Sequence, residues 1–298
     1  MRNFLFAATV GMMLSSPGYA RHNPTTLTLG PDLIAPSTVD GKPVKIQVNL
    51  TAEKTLIVNA DAANRIGLQS STSRARGVIG HQTFSASSTV AEYVIGGMTT
   101  KHRIGWYDTI ATPGVDAVIG PAGVSQDVIT VQLRPAQQGE RTFTLPLIVV
   151  QENYGRIGTV VQIGDQAVAV GWDMTRDSTL ITAAAAADLA KANGGHFVGE
   201  KRKDRVVFDV QRPVRAMDIT TPFAIGPINL THVTAWVGDY GDTSQVPDDQ
   251  ADPNEIVVTA KGSKIQSFHA IVIGRNDMAQ CSSVTYDKPG RQIRLVCR

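Results

Sequence analysis

The feature that most constrains the fold of this chain is an internal duplication. The segment 49–57 recurs as 173–181 at a constant offset of 124 residues, and both copies end in Thr-Leu-Ile. Each copy follows a strand-like apolar run and precedes an alanine-rich stretch that favours a helix. The apolar runs cover 44–48 and 167–171, and the helix-favouring stretches cover 60–68 and 183–192. This repeated order predicts two copies of one folding unit.

Two further blocks recur in the same order. An Ile-Gly pair, a histidine and a tryptophan at positions 95–96, 102 and 106 recur 130 residues later, at positions 225–226, 232 and 236. A Val-Ile-Gly element that ends at Gly120 recurs 154 residues later and ends at Gly274. The second copy therefore has 24 additional residues between these blocks. We place them in the stretch 238–264, whose acidic residues and prolines predict a solvated insertion loop.

The composition favours an all-β chain. Glycine is frequent, with 27 residues, aromatic residues make up 6%, and Val, Ile and Thr are common. This pattern is typical of short strands joined by many turns. The duplication divides the chain into an N-terminal lobe, 21–138, and a C-terminal lobe, 139–298, joined near residues 137–142. Charged residues make up 18% and the net charge is +2, with no basic face, so we expect no nucleic-acid partner.

The N-terminus has the layout of a secretory signal. A positive start at Arg2 precedes an apolar run of 11 residues, 4–14, and small residues at Gly18 and Ala20 follow. The run is too short to span a bilayer as a helix. We therefore expect residues 1–20 to be removed and the mature chain to be periplasmic or secreted, with no membrane span.

The two cysteines, Cys281 and Cys297, lie near the C-terminus. In an exported protein we expect them to form a disulfide that clips the last hairpin, 283–296, to the segment before it. Neither cysteine has a CxxC neighbour or a nearby histidine, which argues against a metal or redox role. We expect no cofactor.

The order of elements within each copy resembles the retropepsin and pepsin superfamily of aspartic peptidases. Ile273-Gly274-Arg275-Asn276 is similar to a signature of that superfamily, and 119–122 is a looser copy. Thr179 lies six residues after Asp173, as a threonine does after the family's catalytic aspartate, and Thr55 lies six residues after Asn49. The resemblance covers nearly all of the mature chain. It implies an all-β, bilobal acid-protease fold, with two pseudo-symmetric β-barrel lobes, short helices and a cleft that binds an extended peptide.

The resemblance places a candidate catalytic residue at Asp173 and an amide, Asn49, at the equivalent position of the other lobe. In the family, two aspartates lie side by side, one ionised and one protonated, because two like charges so close cannot both form. The ionised member takes a proton from the attacking water. An amide has no comparable acid or base chemistry near neutral pH, so the catalytic pair is predicted to be broken.

Both turns depart from the family in parallel. Leu50 and Met174 stand where the family has a hydroxyl residue that knits the turns together, and Thr51 and Thr175 stand where it has glycine. A β-branched residue restricts the backbone there, so we expect a reshaped turn. The resemblance also implies ligand-binding roles for five residues: Asn49, Thr51, Thr175, Asp177 and Glu53. The last two stand at the family's fourth position past the catalytic aspartate, where an acid binds the substrate backbone.

Other polar and aromatic candidates are weaker. His102 and His232 occupy equivalent positions in the two copies, which indicates architecture rather than a metal pair, and we expect no metal site. Trp106 and Trp236 are expected to pack in the core or between the lobes for the same reason. His81 falls in the expected first flap, either as an exposed loop residue or as a ligand contact.

The segment 254–260, Asn-Glu-Ile-Val-Val-Thr-Ala, resembles a short segment near the start of some outer-membrane TonB-dependent receptors. As an extended apolar run it could add a strand to the sheet edge of an envelope protein partner. The alternative is an ordinary strand of the lobe.

Three functions remain open from the sequence. The first is a non-catalytic pseudo-peptidase that binds an extended peptide or protein ligand in the cleft. The second is an active aspartic endopeptidase in which Asp173 works with an unrecognised second carboxylate, such as Asp177, Glu53 or Asp61. The third is a structural envelope protein without a ligand.

Overall fold

The structure is a computed structural model that describes residues 23–71, 75–79, 82–207, 210–237 and 268–298. The first half contains these elements: β1 (Thr26–Leu29), β2 (Ile34–Ala35), β3 (Ser37–Val39), β4 (Lys42–Pro43), β5 (Ile46–Val48), β6 (Ile57–Val58), α1 (Ala60–Arg65), β7 (Ala75–Ile79), β8 (Gln82–Ile95), β9 (Met98–Tyr107), β10 (Ala117–Ile119) and β11 (Val128–Gln132). The second half contains these: β12 (Arg141–Pro146), β13 (Ile148–Gln151), β14 (Arg156–Ile163), β15 (Gln166–Trp172), β16 (Leu180–Ile181), α2 (Ala183–Asn193), β17 (Gly195–Val207), β18 (Val210–Ile225), β19 (Ile228–Trp236), β20 (Ala270–Ile273), β21 (Cys281–Asp287) and β22 (Gln292–Cys297).

Two sheets of the described chain repeat one strand order. The first contains the order β5-β10-β6-β9-β8, and the second contains β15-β20-β16-β19-β18. The directions repeat as well, since the successive pairs in both are parallel, antiparallel, parallel and antiparallel. The predicted all-β class with two pseudo-symmetric lobes is therefore confirmed by the sheet topology.

The strand registers reproduce the sequence offsets. Ile46 lies opposite Ala117 in the first lobe, and Val170 lies opposite Ile271 in the second. In the same way, Ile57 pairs with Gly105 and Ile181 pairs with Ala235. Because a shift of one residue would turn every side chain to the opposite face of the sheet, matching registers mean that equivalent residues face equivalent surroundings.

The two Val-Ile-Gly elements end in glycines because a turn of the chain crosses them closely. A Cβ on Gly120 would lie 2.1 Å from the carbonyl oxygen of Ala52, and one on Gly274 would lie 2.4 Å from the carbonyl carbon of Ser178. Each glycine thus lies against the loop that leads from β5 to β6 or from β15 to β16. This close packing fixes the position of both loops, which carry Asn49 and Asp173.

The two helices begin at corresponding positions but differ in length. The hydroxyl oxygen of Thr182 accepts a hydrogen bond from the Ala185 N–H at 3.4 Å, and α2 ends at Gly194 in the left-handed conformation. These are an N-cap and a C-cap. In the first lobe, Asn59 makes no such cap, because its side chain bonds the loop 111–115 instead. At its other end, α1 stops at Arg65, before the predicted end at residue 68, because Gly67 takes the left-handed conformation that terminates helices.

A third sheet connects the halves of the chain. Its order is β1-β11-β21-β22-β12, so two strands of the first half continue into three strands of the second half. The proposed lobe boundary at residues 138 and 139 falls between β11 and β12. The aromatic rings of Trp172 and Tyr286 meet edge to face at a centroid distance of 6.3 Å, and both side chains are fully buried.

The disulfide between Cys281 and Cys297 is present. The two cysteines lie directly opposite each other in the register of β21 and β22. The disulfide therefore joins the two strands of the last hairpin, β21 and β22, at the end opposite the turn. The sequence had suggested a link from that hairpin to the segment before it.

Several sequence predictions concern residues outside the described ranges. They are the signal at 1–20, His81, the insertion 238–264 and the segment 254–260. Among the helices that the structure describes, none combines the length and the apolar character needed to cross a membrane.

The close approach at Gly274 generates a stability prediction. We expect Gly274→Ala to lower the free energy of unfolding by about 1–3 kcal/mol, because the added methyl group would overlap backbone atoms that have little room to move. Gly30→Ala is the control, since its Cβ would meet only a side-chain oxygen at 3.4 Å. Urea unfolding followed by circular dichroism measures both. Equal stability of the two variants would contradict this packing.

Candidate functional site

The two equivalent turns bring Asn49 and Asp173 into contact. The Nδ2 group of Asn49 donates a hydrogen bond to Oδ1 of Asp173 at 3.1 Å. Asn49 directly follows strand β5, and Asp173 directly follows strand β15. The Asn49 N–H bonds the Ile119 carbonyl at 3.0 Å, and the Asp173 N–H bonds the Ile273 carbonyl at 2.9 Å. The duplicated backbone therefore sets both side chains at the junction of the lobes.

Two threonines hold these side chains in the same way. The backbone N–H and hydroxyl of Thr51 donate to Oδ1 of Asn49 at 2.9 and 2.8 Å. The same groups of Thr175 donate to Oδ1 of Asp173 at 3.0 and 2.6 Å. Each threonine thus supplies a hydroxyl to the residue two positions before it.

The threonine contacts also fix the orientation of the Asn49 amide. The Thr51 N–H can only donate, so the atom facing it must be the amide oxygen. The amide nitrogen then faces Asp173 as a donor. Asp173 Oδ1 receives three hydrogen bonds in all, and within the described residues none ends on Oδ2. Oδ2 is therefore the carboxylate atom available to a ligand.

Apolar packing replaces a polar link beneath this pair. Leu50 and Met174, the residues next to Asn49 and Asp173, are 1% and 2% exposed and belong to the hydrophobic core. Such side chains join the turns by burial of apolar surface and form no hydrogen bonds across the pair.

Further contacts lock the turn of the first lobe against the second. A Cβ on Gly171 would lie 2.9 Å from Cγ2 of Thr51, so these two segments of the chain are in contact. The Lys54 N–H donates to the carbonyl of Tyr154 at 2.9 Å, and the Lys54 side chain lies on Gly155. The relative position of Asn49 and Asp173 therefore rests on several contacts besides their own hydrogen bond.

The two equivalent acids of the turns differ in environment. Asp177 is exposed and forms an ion pair with Arg275 at 2.6 Å. Glu53 is half-buried, and Pro121 occupies the position that corresponds to Arg275. Burial raises the pKa of Glu53, and the positive charge of Arg156 from the second lobe offsets part of that rise.

Glu53 lines a cavity of about 240 Å³ beside the β8–β9 hairpin. Its wall is mostly apolar and includes Ile57, Ile104, Trp106 and Tyr107. Burial raises the pKa of Tyr107, and the nearby Glu53 charge raises it further. The cavity thus combines aromatic surface with one acid that is partly removed from water.

The second lobe has a latch that the first lobe lacks. Arg176, three residues after Asp173, forms an ion pair with Asp204 on β17 and donates to the Arg205 carbonyl at 2.8 Å. The equivalent residue of the first lobe is Ala52, which cannot form such a pair. The β17–β18 hairpin is therefore tied to the turn of Asp173, whereas Ala52 has no charged side chain that could make such a tie from the turn of Asn49.

The remaining sequence candidates lie away from the pair. Nδ1 of His102 lies 3.4 Å from the Arg103 carbonyl, and Nδ1 of His232 lies 2.5 Å from Asp218, with both rings exposed. Asp61 lines a separate cavity of about 590 Å³ next to α1. Neither Asp61, Glu53 nor Asp177 is a described hydrogen-bond partner of Asp173. The described residues contain no cluster of three or more His, Cys, Asp or Glu suited to a metal ion.

The sequence did not predict that Arg156 and Tyr107 lie near Glu53, or that Arg176 pairs with Asp204. Arg156 stands just after the lobe junction and has no counterpart in the repeat pattern. Tyr107 follows the repeated Trp106, and only the fold brings it near Glu53. For the ion pair of Arg176, the signal in the sequence was the alanine at the equivalent position 52.

The ion pair between Arg176 and Asp204 predicts that its removal lowers the protection of nearby amides from hydrogen exchange. We expect Arg176→Ala to increase amide hydrogen exchange across β17 and β18 by about tenfold, equivalent to ~1.4 kcal/mol. The Arg176 and Asp204 side chains are only 16% and 28% exposed, so water compensates poorly for the lost pair. Arg275→Ala is the matched control, because that arginine and its aspartate are 55% and 73% exposed. An equal response of the hairpin to both variants would contradict the latch.

Comparison with known proteins gives limited information. No protein-family model matches the chain, and no curated protein matches it. Among solved structures, the chain is similar to the aspartic proteinase from Irpex lacteus, with 13% identity and a TM-score of 0.43 over 89% of this chain and 93% of that one. At this similarity the comparison assigns neither a family nor a function, so the fold class rests on the strand order described above.

Proposed function

We propose that this chain is an exported, aspartic-peptidase-like protein that binds an extended peptide in the cleft between its lobes without cleaving it. The observation that carries the proposal is the hydrogen bond from the Asn49 amide to Asp173. An amide donor there occupies the place of a second carboxyl group.

The chemistry of the pair argues against proton transfer. Peptide hydrolysis by two carboxyl groups needs one group to accept a proton from water while the other donates one to the scissile carbonyl. Asn49 donates permanently through Nδ2 and accepts permanently through Oδ1, and neither role can reverse. Asp173 alone could accept a proton, but it would have no partner with which to share it.

The surroundings of the pair support a binding role. Asp173 Oδ2 can accept a hydrogen bond from a ligand N–H, and the two lobes carry equivalent strand pairs, β8 with β9 and β18 with β19. An extended peptide offers N–H and C=O groups at regular spacing and side chains on alternating faces, which suits such a cleft. The disulfide is consistent with an oxidising compartment, either the periplasm or the cell exterior.

The first experiment separates binding from cleavage. We expect wild-type protein to bind members of a peptide library in fluorescence polarisation and to leave a quenched version of the same library uncut from pH 3 to 7. Asp173→Ala should weaken binding about tenfold, since the cleft then lacks a charged acceptor. The exposed Asp165→Ala, in the β14–β15 turn, is the control and should bind normally.

Two outcomes would overturn the proposal. Cleavage that disappears in Asp173→Ala would establish an active peptidase with an unrecognised second carboxylate. Absence of binding across a broad peptide panel would favour a structural envelope protein.

A second experiment restores the missing acid. We expect Asn49→Asp to stay inactive, because the buried Leu50 and Met174 and the two threonines remain. Two carboxyl groups in contact share one proton, so one pKa of the pair rises above its unfolded value. Its stabilising effect is present at low pH and is lost as the pH rises through that raised pKa. The melting temperature of Asn49→Asp relative to wild type should therefore fall from pH 4 to pH 7. A difference that does not change with pH would show that positions 49 and 173 do not face each other.

A further inference from the structure

We infer that the cavity beside Glu53 is a subsite for a single cationic group, such as a lysine side chain of the bound peptide. The inference rests on the proposed cleft function, and it specifies the chemistry of the ligand. It applies to the cavity in the first lobe, for which the second lobe offers no equivalent charge arrangement.

The cavity has a size and a wall suited to one side chain. Its volume is about 240 Å³, and Ile57, Ile104 and Trp106 provide apolar surface along which an alkyl stem can lie. Trp106 and Tyr107 also offer aromatic rings, which attract cations. Thr55 and Glu53 come from the turn that carries Asn49, so the cavity lies next to the central pair.

The charges around the cavity favour a cation. Glu53 is half-buried, and its pKa is raised although Arg156 acts on it, so Arg156 does not fully offset the cost of its burial. Arg156 also donates to Gln151 at 3.0 Å and lies over the ring of Tyr154 at 5.3 Å from its centroid. A second positive charge at the cavity end of Glu53 would therefore be stabilised.

Among the described residues that line the cavity, Arg103 is the one that carries a positive charge and so opposes a cation. Its guanidinium donates to the hydroxyl of Ser88 at 3.0 Å, and the residue is exposed. Water and salt screen an exposed charge far more than a half-buried one. Glu53 is thus the dominant charge inside the cavity.

The contrast with Asp177 supports the assignment. Asp177 stands at the equivalent position of the second turn, but it is exposed and its charge is already matched by Arg275 at 2.6 Å. The two acids therefore provide a built-in pair of variants, Glu53→Gln and Asp177→Asn. Only the first is expected to change cation binding.

The experiment uses three small probes of similar size on the full chain: n-butylammonium, 1-butanol and butyrate. We expect n-butylammonium to shift the NMR signals of Glu53, Gly105 and the Trp106 indole, and to bind about tenfold more tightly than 1-butanol. Butyrate should bind most weakly. Glu53→Gln should abolish the preference for the cation and keep the affinity for 1-butanol, whereas Asp177→Asn should behave like wild type.

The pH dependence gives a readout that a structural role of Glu53 would not produce. The cation preference requires the Glu53 carboxylate, so it is complete at high pH and is lost as the pH falls through the raised pKa. Its loss should therefore begin at a higher pH than for an ordinary glutamate. A preference that persists down to the usual glutamate range would contradict Glu53 as its source, as would equal binding of all three probes.

A peptide series distinguishes this inference from the proposed function. Peptides that differ only in lysine or norleucine at one position are titrated by calorimetry. Binding without a lysine preference overturns the subsite and leaves the cleft function standing. A cation preference of the small probe that Glu53→Gln removes, in a protein that binds no peptide, upholds the subsite and overturns the peptide cleft.

Discussion

The hydrogen bond between Asn49 and Asp173 is the constraint around which the rest of the structure is arranged. It exists only because two copies of one folding unit present equivalent turns to each other, with each turn held by a strand, a crossing glycine and a threonine. The duplication is symmetric, but the chemistry is not: one turn offers an amide that donates, and the other offers a carboxylate that accepts. Two carboxylates in this position would repel or need to share a proton, whereas the Asn49 amide donates directly to the Asp173 carboxyl group.

The two lobes also differ in the residues around the central pair. On one side, Arg176 ties the β17–β18 hairpin to the turn of Asp173. On the other, alanine stands at the corresponding position, and Glu53 lies beside an open cavity under the β8–β9 hairpin. The two lobes therefore differ around their equivalent turns. The second lobe has an ion pair that ties its hairpin to its turn, and the first lobe has a cavity beside its turn.

Much of this arrangement could be predicted from the sequence, and the reason is the repeat. Offsets of 124, 130 and 154 residues between matching blocks specified which strands correspond, and the strand registers agree with them. The repeat and the family resemblance together also predicted that positions 49 and 173 face each other. Interactions between unlike parts of the chain were not predictable, because no repeat marks them. Arg156 acts on Glu53, and Arg176 reaches Asp204, only after the lobes pack and the hairpin folds back. The helix after the first turn was also predicted too long, because the alanine-rich pattern was extended across Gly67, whose left-handed conformation ends the helix.

The mixed sheet has a consequence for how the chain is made. Strand β11 ends at Gln132, but its antiparallel neighbour β21 begins only at Cys281, so the first lobe cannot complete its edge until nearly the entire polypeptide has been delivered. Contacts so distant in sequence form slowly. During synthesis the leading half therefore keeps an open strand edge, which can pair with another molecule until the trailing half covers it.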